Sequence, residues 1–269
     1  MNTVEAHGFK IPIVGLGTWA LRDVTRVVSE AIRVGYRHID TAQMYGNEAE
    51  VGEAVRASGL RSEIMVTTKI QPTLLAPRDV ERSSKESLKK LKLDAIDLLL
   101  IHWPNPRVPL ADTLGAMAKL KQEGVTRAIG VSNFTVALIE EAVRVSPAPI
   151  VCNQVECHPF LDQDKVIEAC RKQGMAVVAY SPVARGGAPG NKVLQRIGAA
   201  HGKTAAQVSL RYLIQQGIVV IPRTNTLARL AENIALFDFE LTDAEMREVH
   251  GLSGRNGRIV DWSWSPNWD

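Results

Sequence analysis

The chain has 269 residues, 45% of them hydrophobic, and a formal net charge of +3. That suits one α/β domain with a large core, and a (β/α)8 barrel takes about 250 residues. Both signs of charge are spread along the chain with no basic block, which argues against a nucleic-acid partner. No apolar run approaches the roughly 20 residues of a membrane span, which argues against a membrane one.

Short β-branched runs alternate with amphipathic helical runs. A strand at Ile13–Leu16 is followed by a helix at Asp23–Val34, and Arg37–Asp40 by a helix at Asn47–Ala57. Ile64–Ile70 leads to Pro77–Leu91. Ile96–His102, nearly continuous apolar as a strand buried on both faces must be, leads to Leu110–Glu123. Arg127–Ser132, Ile150–Glu156, Ala176–Ser181 and Ile218–Pro222 continue the pattern. Eight strands, each followed by helix, predict a parallel sheet closed into a (β/α)8 TIM barrel, one domain over 1–269. Two helices are extra. Thr204–Gln216 has Thr204 as its N-cap, and Thr242–Leu252 opens on a capping box, Thr242 with Glu245. The opening stretch up to Pro12 reads as a hairpin covering the barrel floor.

Cys152, Cys157 and Cys170 are odd in number and lack C-x-x-C spacing. Met1–Lys10 carries Glu5 and His7 and no apolar core of a signal peptide. Buried free thiols in a cytoplasmic enzyme are expected.

Gly15-Leu16-Gly17-Thr18-Trp19-Ala20 reads as G-x-G-x-x-A after a strand, close to a dinucleotide fingerprint. Three features demote it to a minor alternative. Trp19 is bulky where backbone should approach a pyrophosphate, eight βα units exceed that fold's six strands, and no Y-x-x-x-K pair occurs.

Barrel chemistry sits at the C-terminal strand ends. Asp40 ends the second strand, with Tyr45 in the loop beyond it; Lys69 ends the third; His102 ends the fourth, followed by Trp103 and Pro104. Singly, an Asp is a helix cap or loop anchor, a Tyr a filler and a His a satisfied core residue. Lys69 is harder to dismiss, because an unpaired buried ammonium costs several kcal/mol. Four such groups on one rim favour chemistry. An ammonium beside a phenol is expected to lower its pKa from about 10, a carboxylate holds the ammonium charged, and a neutral imidazole donates to a carbonyl oxygen. Tyr45, Lys69, Asp40 and His102 together suit a general acid for an oxygen that gains charge during hydride attack.

Gly35-Tyr36-Arg37-His38-Ile39-Asp40-Thr41-Ala42-Gln43-Met44-Tyr45-Gly46-Asn47-Glu48 resembles the first signature of the aldo-keto reductases. Leu93-Asp94-Ala95-Ile96-Asp97 through His102-Trp103-Pro104 resembles the second. Ile221-Pro222-Arg223-Thr224 through Arg229, Glu232 and Asn233 resembles the third. The likeness is strongest to the small bacterial branch that reduces 2,5-diketo-D-gluconate, helped by the His-Trp-Pro-Asn-Pro run and the Ser265-Pro266-Asn267-Trp268-Asp269 ending.

That resemblance implies an NADP-dependent oxidoreductase acting on CH–OH groups, using NADPH/NADP+ and no metal to reduce small aldehydes, ketones, diketo-sugar acids and methylglyoxal-like compounds. The catalytic tetrad would be Asp40, Tyr45, Lys69 and His102. Gly130-Val131-Ser132-Asn133 and Asn153-Gln154 match positions that hold the nicotinamide carboxamide. Tyr180 would stack on the ring, with Ser181 and Pro182 beside the pyrophosphate. Arg223, Thr224, Arg229, Glu232 and Asn233 would hold the adenosine end, although relatives commonly have Pro-Lys-Ser where Pro222-Arg223-Thr224 stands here. Trp19 and Trp103 would line the substrate pocket. Trp262, Trp264 and Trp268 either clasp the barrel wall or, as in relatives, fold over its mouth. The chain is expected to act as a monomer on a small-molecule substrate. The alternatives are a cofactor-binding regulatory subunit of this fold and a barrel lyase or hydrolase, for which no ligand set such as H-E-x-x-H appears.

Overall fold

The computed structural model describes residues 2–269. The chain opens with an antiparallel hairpin of β1 (Thr3–Ala6) and β2 (Phe9–Pro12), turned at His7-Gly8. Its apolar side chains Ala6 and Ile11 pack against Met65, Leu98, Ala176 and Val219. These are inward-facing residues at the starts and middles of the barrel strands, so the hairpin stoppers the N-terminal end as the opening sequence predicts.

Eight parallel strands follow in chain order: β3 (Leu16–Gly17), β4 (His38–Asp40), β5 (Met65–Ile70), β6 (Ile96–Ile101), β7 (Thr126–Ser132), β8 (Ile150–Glu156), β9 (Ala176–Tyr180) and β10 (Val219–Val220). Each pairs with the next. A parallel bridge between Val14 and Val220 joins the last strand to the first, with Val220 N–H donating to the Ile13 carbonyl at 2.9 Å and Gly15 N–H to the Val220 carbonyl at 2.8 Å. The sheet is therefore a closed (β/α)8 barrel. The first and last strands are shorter than the sequence predicts, because closure rests on this bridge as much as on regular ladder.

The G-x-G pattern finds its explanation at this seam. A Cβ on Gly15 would come within 2.6 Å of His38 Nδ1, and one on Gly17 within 2.8 Å of the Ile221 carbonyl oxygen. The glycines let β3 close against its two neighbours; they do not open a phosphate loop ahead of a Rossmann helix.

Helices Val24–Arg33, Glu48–Ala57, Pro77–Leu91, Leu110–Gln122, Val136–Val145 and Asp164–Lys172 return the chain between strands. After β9 a one-turn helix, Gly187–Gly190, and then Lys192–Ala200 and Ala205–Gln215 do so, the last opened by a capping box of Thr204 with Gln207. Ala228–Ile234 follows β10. Their apolar faces meet the outward strand residues, such as Ile39, Val66, Leu99, Ile129 and Val177, in one continuous core. The helix Asp243–His250 carries the predicted Thr242/Glu245 capping box. All three cysteines are free and buried, and burial pushes Cys157 and Cys170 up to about 12. Among the described residues no helix is long and apolar enough to cross a membrane.

Candidate active site

Alternation along the strands decides what enters the barrel mouth. In β4 Ile39 packs outward, so His38 and Asp40 face in; in β5 Val66 and Ile70 pack outward, so Thr67 and Lys69 face in. His102 follows β6 directly, its N–H donating to the Ile70 carbonyl at 3.0 Å. Tyr45 closes a 3₁₀ turn, Gln43–Tyr45.

These four side chains converge. Lys69 is fully buried, and its Nζ donates to Asp40 Oδ1 at 2.5 Å and to the Thr41 carbonyl at 2.9 Å. It lies 3.4 Å from Tyr45 Oη. The Tyr45 and His102 rings meet edge to face at 5.5 Å. Sequence reading missed two supports. Gln154 Nε2 donates to Asp40 Oδ2 at 2.8 Å, so both carboxylate oxygens are engaged. Asn47 donates to the Thr18 carbonyl and accepts from Thr41 Oγ1, which pins the loop carrying Tyr45 to the end of β3. A buried Asn at a helix start reads as a plain cap, so only its burial could have marked it.

The electrostatics differ from expectation at one point. Burial, and then the Asp40 charge, push the Tyr45 phenol well above its ordinary value. The expected lowering by Lys69 does not win: burial of the phenol and the Asp40 charge dominate, although Lys69 Nζ stays 3.4 Å from Tyr45 Oη. Burial lowers Lys69 too, with Asp40 opposing. Burial, helped by Lys69, drives His102 well below its ordinary value, so the imidazole is neutral. Its Nδ1 is buried without a hydrogen-bond partner among the described residues.

A second row lies beside this floor. Ser132 Oγ donates to the Gln154 carbonyl at 2.8 Å. Asn133, held at φ 63°, donates to the His102 carbonyl at 3.0 Å and accepts from Tyr180 Oη at 2.8 Å. Asn153 points the other way: it donates to the Phe134 carbonyl and accepts from its N–H, anchoring the loop after β7. Like Gly130 and Val131, it lines no part of the cavity.

The cavity has a volume of about 1010 Å³ and runs from this floor along a groove. Tyr180, Ser181 and Pro182 form one side of it, and Arg223, Thr224, Arg229, Glu232 and Asn233 its far end. Glu232 accepts from Thr204 Oγ1 at 2.7 Å. Arg223 and Arg229 are exposed and make no ion pair among the described residues. Across the groove, the guanidiniums of Arg185 and Arg223 lie 4.9 and 5.3 Å from the Trp19 ring centroid. Trp19 and Trp103 both line the cavity, Trp19 beside the two arginines and Trp103 next to His102. Met44, Val260, Trp262 and Trp264 join them there. Trp262 and Trp264 stack at 6.2 Å with 7° between planes, and Trp264 meets Trp103 edge-on at 5.0 Å. The two tail indoles stay 52% and 46% exposed, so they wall the cavity rather than bury themselves as a clasp. Trp268 is the one that packs down, with its Nε1 on Asp261 and the Arg258 guanidinium 3.6 Å above its ring.

A model of the aldo/keto reductase family matches residues 13–253. The methylglyoxal reductase DkgB of Yersinia pestis is 41% identical over 266 residues, covering 96% of this chain and 99% of that protein. An aldo-keto reductase of a Mycobacterium species is 42% identical over 249 residues, covering 91% of this chain and 88% of the relative. Among solved structures, one provisionally assigned as a 2,5-diketo-D-gluconic acid reductase B superposes with a TM-score of 0.98 at 47% identity, covering 100% of this chain and 98% of that one.

Proposed function

The chain belongs to the aldo/keto reductase family of oxidoreductases, and on that premise we propose that it uses NADPH to reduce small aldehydes and ketones, diketo-sugar acids and methylglyoxal-like compounds among them, within a single barrel domain over 1–269. The observation that carries this reading is the floor of the cavity: the Tyr45 phenol, the His102 imidazole and a buried Lys69–Asp40 pair within contact of one another.

The residues fit the cofactor on three counts. His102 Nδ1 is a buried polar atom in want of a partner. Ser132, Asn133 and Gln154 present a hydroxyl and two amides already oriented by hydrogen bonds, suited to a carboxamide. Arg223 and Arg229 stand unpaired at the far end, and Arg pairs well with phosphate. Tyr180 offers a ring for stacking. Ser181 and Pro182 would border the pyrophosphate, and Thr224, Glu232 and Asn233 would hold the adenosine. When bound, the cofactor supplies the hydride that goes to the carbonyl carbon.

The protein's own part is at the oxygen. His102 orients the carbonyl by hydrogen bonding. As negative charge develops there, Tyr45 transfers its phenolic proton, and the alcohol forms. A raised pKa keeps Tyr45 protonated until that moment, and an alkoxide is basic enough to take the proton. Lys69 then stabilises the phenolate, Asp40 keeps Lys69 charged, and Gln154 holds Asp40. The buried Trp103 beside His102 offers an apolar wall at the reacting oxygen, and limiting water there would strengthen each of these interactions.

A fluorescence titration with NADPH, followed by loss of NADPH absorbance over methylglyoxal, diketo-sugar acids and aromatic aldehydes, tests the reading. Saturable binding and turnover of at least one class are expected. Absence of both would sink it.

A further inference from the structure

The mechanism above leaves several buried carboxylates unused, Glu48, Asp97 and Glu156 among them. Glu156 ends β8, and its carboxylate is 0% exposed. A carboxylate is removed from water at a cost of several kcal/mol unless strong hydrogen bonds replace the solvent. Here three donors do so. Ile259 N–H donates to Oε1 and Val260 N–H to Oε2, each at 2.7 Å, and His158 Nε2 lies 2.9 Å from Oε1. Burial pushes the carboxyl up, but these bonds outweigh it and hold it below its ordinary value.

Two of the donors belong to the C-terminal tail, 103 and 104 residues away in sequence. The grip falls where the tail begins to matter to the cavity. Val260 lines it, and Trp262 and Trp264 follow at once. Beyond this point the tail's hydrogen bonds are mostly internal, Trp262 N–H to Ser265 Oγ and Trp268 Nε1 to Asp261. Its next tether to the barrel is at the last residue, where Asp269 accepts from Val136 N–H at 3.0 Å. Between the two, contact is made by indoles on Trp103. A pair of short, charge-assisted bonds to consecutive amides fixes both the position and the direction of a strand.

We propose that Glu156 is a positioning residue that sets substrate preference: by gripping the amides of Ile259 and Val260 it fixes the wall of Val260, Trp262 and Trp264, and so decides which carbonyl compounds seat against Tyr45. The inference rests on the carbonyl-reductase reading for its consequence and on geometry alone for the grip.

Glu156→Gln keeps the volume, removes the charge and turns one acceptor into a donor facing a backbone N–H. KM for an aryl aldehyde, which needs the indole wall, should rise about tenfold or more, the scale of a lost pocket fit. The kcat for methylglyoxal, too small to reach the wall, should change less than about threefold, and NADPH affinity should not move. In a chain ending at Arg258 the same substitution should add nothing to the change of ranking, since residues acting through one element are not additive. Hydrogen exchange at Ile259 and Val260 should accelerate in the full-length variant, a readout that needs no turnover. If Glu156→Gln does not fold, Glu156→Asp carries the test, with the charge kept and the reach shortened. Unchanged exchange at the two amides, or an equal shift of ranking in the truncated chain, would overturn the proposal. A wild-type protein that reduces no carbonyl would overturn the functional reading instead, with the exchange result still judging the grip.

Discussion

The floor of the cavity and its outer wall are held by different means. Asp40 and Lys69 stand on β4 and β5, His102 follows β6 directly, and pairing ties Asp40 to both neighbouring strands, Lys69 to β6 and His102 to Ile70 of β5. Val260, Trp262 and Trp264 stand on a tail with no strand partner, gripped by one carboxylate and by edge contacts with Trp103. The floor is tied to the same ladder that forms the barrel. The wall is a separate piece, free to differ without disturbing closure. Rate should therefore depend on the floor, and choice of substrate on the wall.

The sharpest way to break that division is at Tyr45. Tyr45→Phe removes the proton donor and should lower kcat by about 10²-fold or more, with NADPH affinity unchanged by titration. Lys69→Met should be comparably damaging, since it strips the phenolate of its partner. It should also lower the melting temperature, because Asp40 is left buried with Gln154 alone and breaking such a pair costs about 3–5 kcal/mol. A modest loss of rate in either variant would put the chemistry elsewhere.

The groove's far end offers the next largest effect. Arg229→Ala should weaken NADPH by roughly 1.5–3 kcal/mol, the scale of a charge-assisted hydrogen bond, and barely touch NADH. Binding titrations with both cofactors check this, and equal weakening would remove Arg229 from a phosphate site.

Truncation after Arg258 tests the wall directly. It should raise KM by several-fold for large carbonyls, on the scale of a lost apolar contact, and reorder the substrate panel, while cofactor affinity stays constant. Unchanged kinetics in a folded, truncated chain would reduce the tail to a clasp.

The smallest expected effect is a flat line. His102 is depressed, so it stays neutral even below its ordinary value, and Tyr45 is raised, so it stays protonated well into the alkaline range. The kcat on an aldehyde should then vary little between about pH 6 and 9. A break near neutrality would mean that His102 titrates there and that its burial is relieved in the working enzyme.

Most of the floor was legible in the sequence, because the period-2 alternation of strands and the rule that barrel chemistry sits at strand ends place Asp40, Lys69 and His102 with no further information. The links among them were not. Gln154 reaches Asp40 from 114 residues away, and nothing local in Asn153-Gln154 says which amide turns in and which anchors Phe134. The pKa direction of Tyr45 failed for a related reason: burial of the phenol and the nearby Asp40 charge outweigh the ammonium, and neither is visible in the sequence. The wall was least legible. Three indoles after a polar turn announce burial or contact, but Glu156, inside an apolar strand, gave no sign that it holds a tail 103 residues on.

The most direct measurement follows the hydride itself. NADPH deuterated at the transferable position of its nicotinamide is incubated with the wild-type protein and methylglyoxal or an aryl aldehyde, and the alcohol is examined by mass spectrometry and NMR. The account predicts one deuterium on the former carbonyl carbon, formed at a rate that falls with Tyr45→Phe. An alcohol without deuterium, or no alcohol from any carbonyl offered, would contradict it.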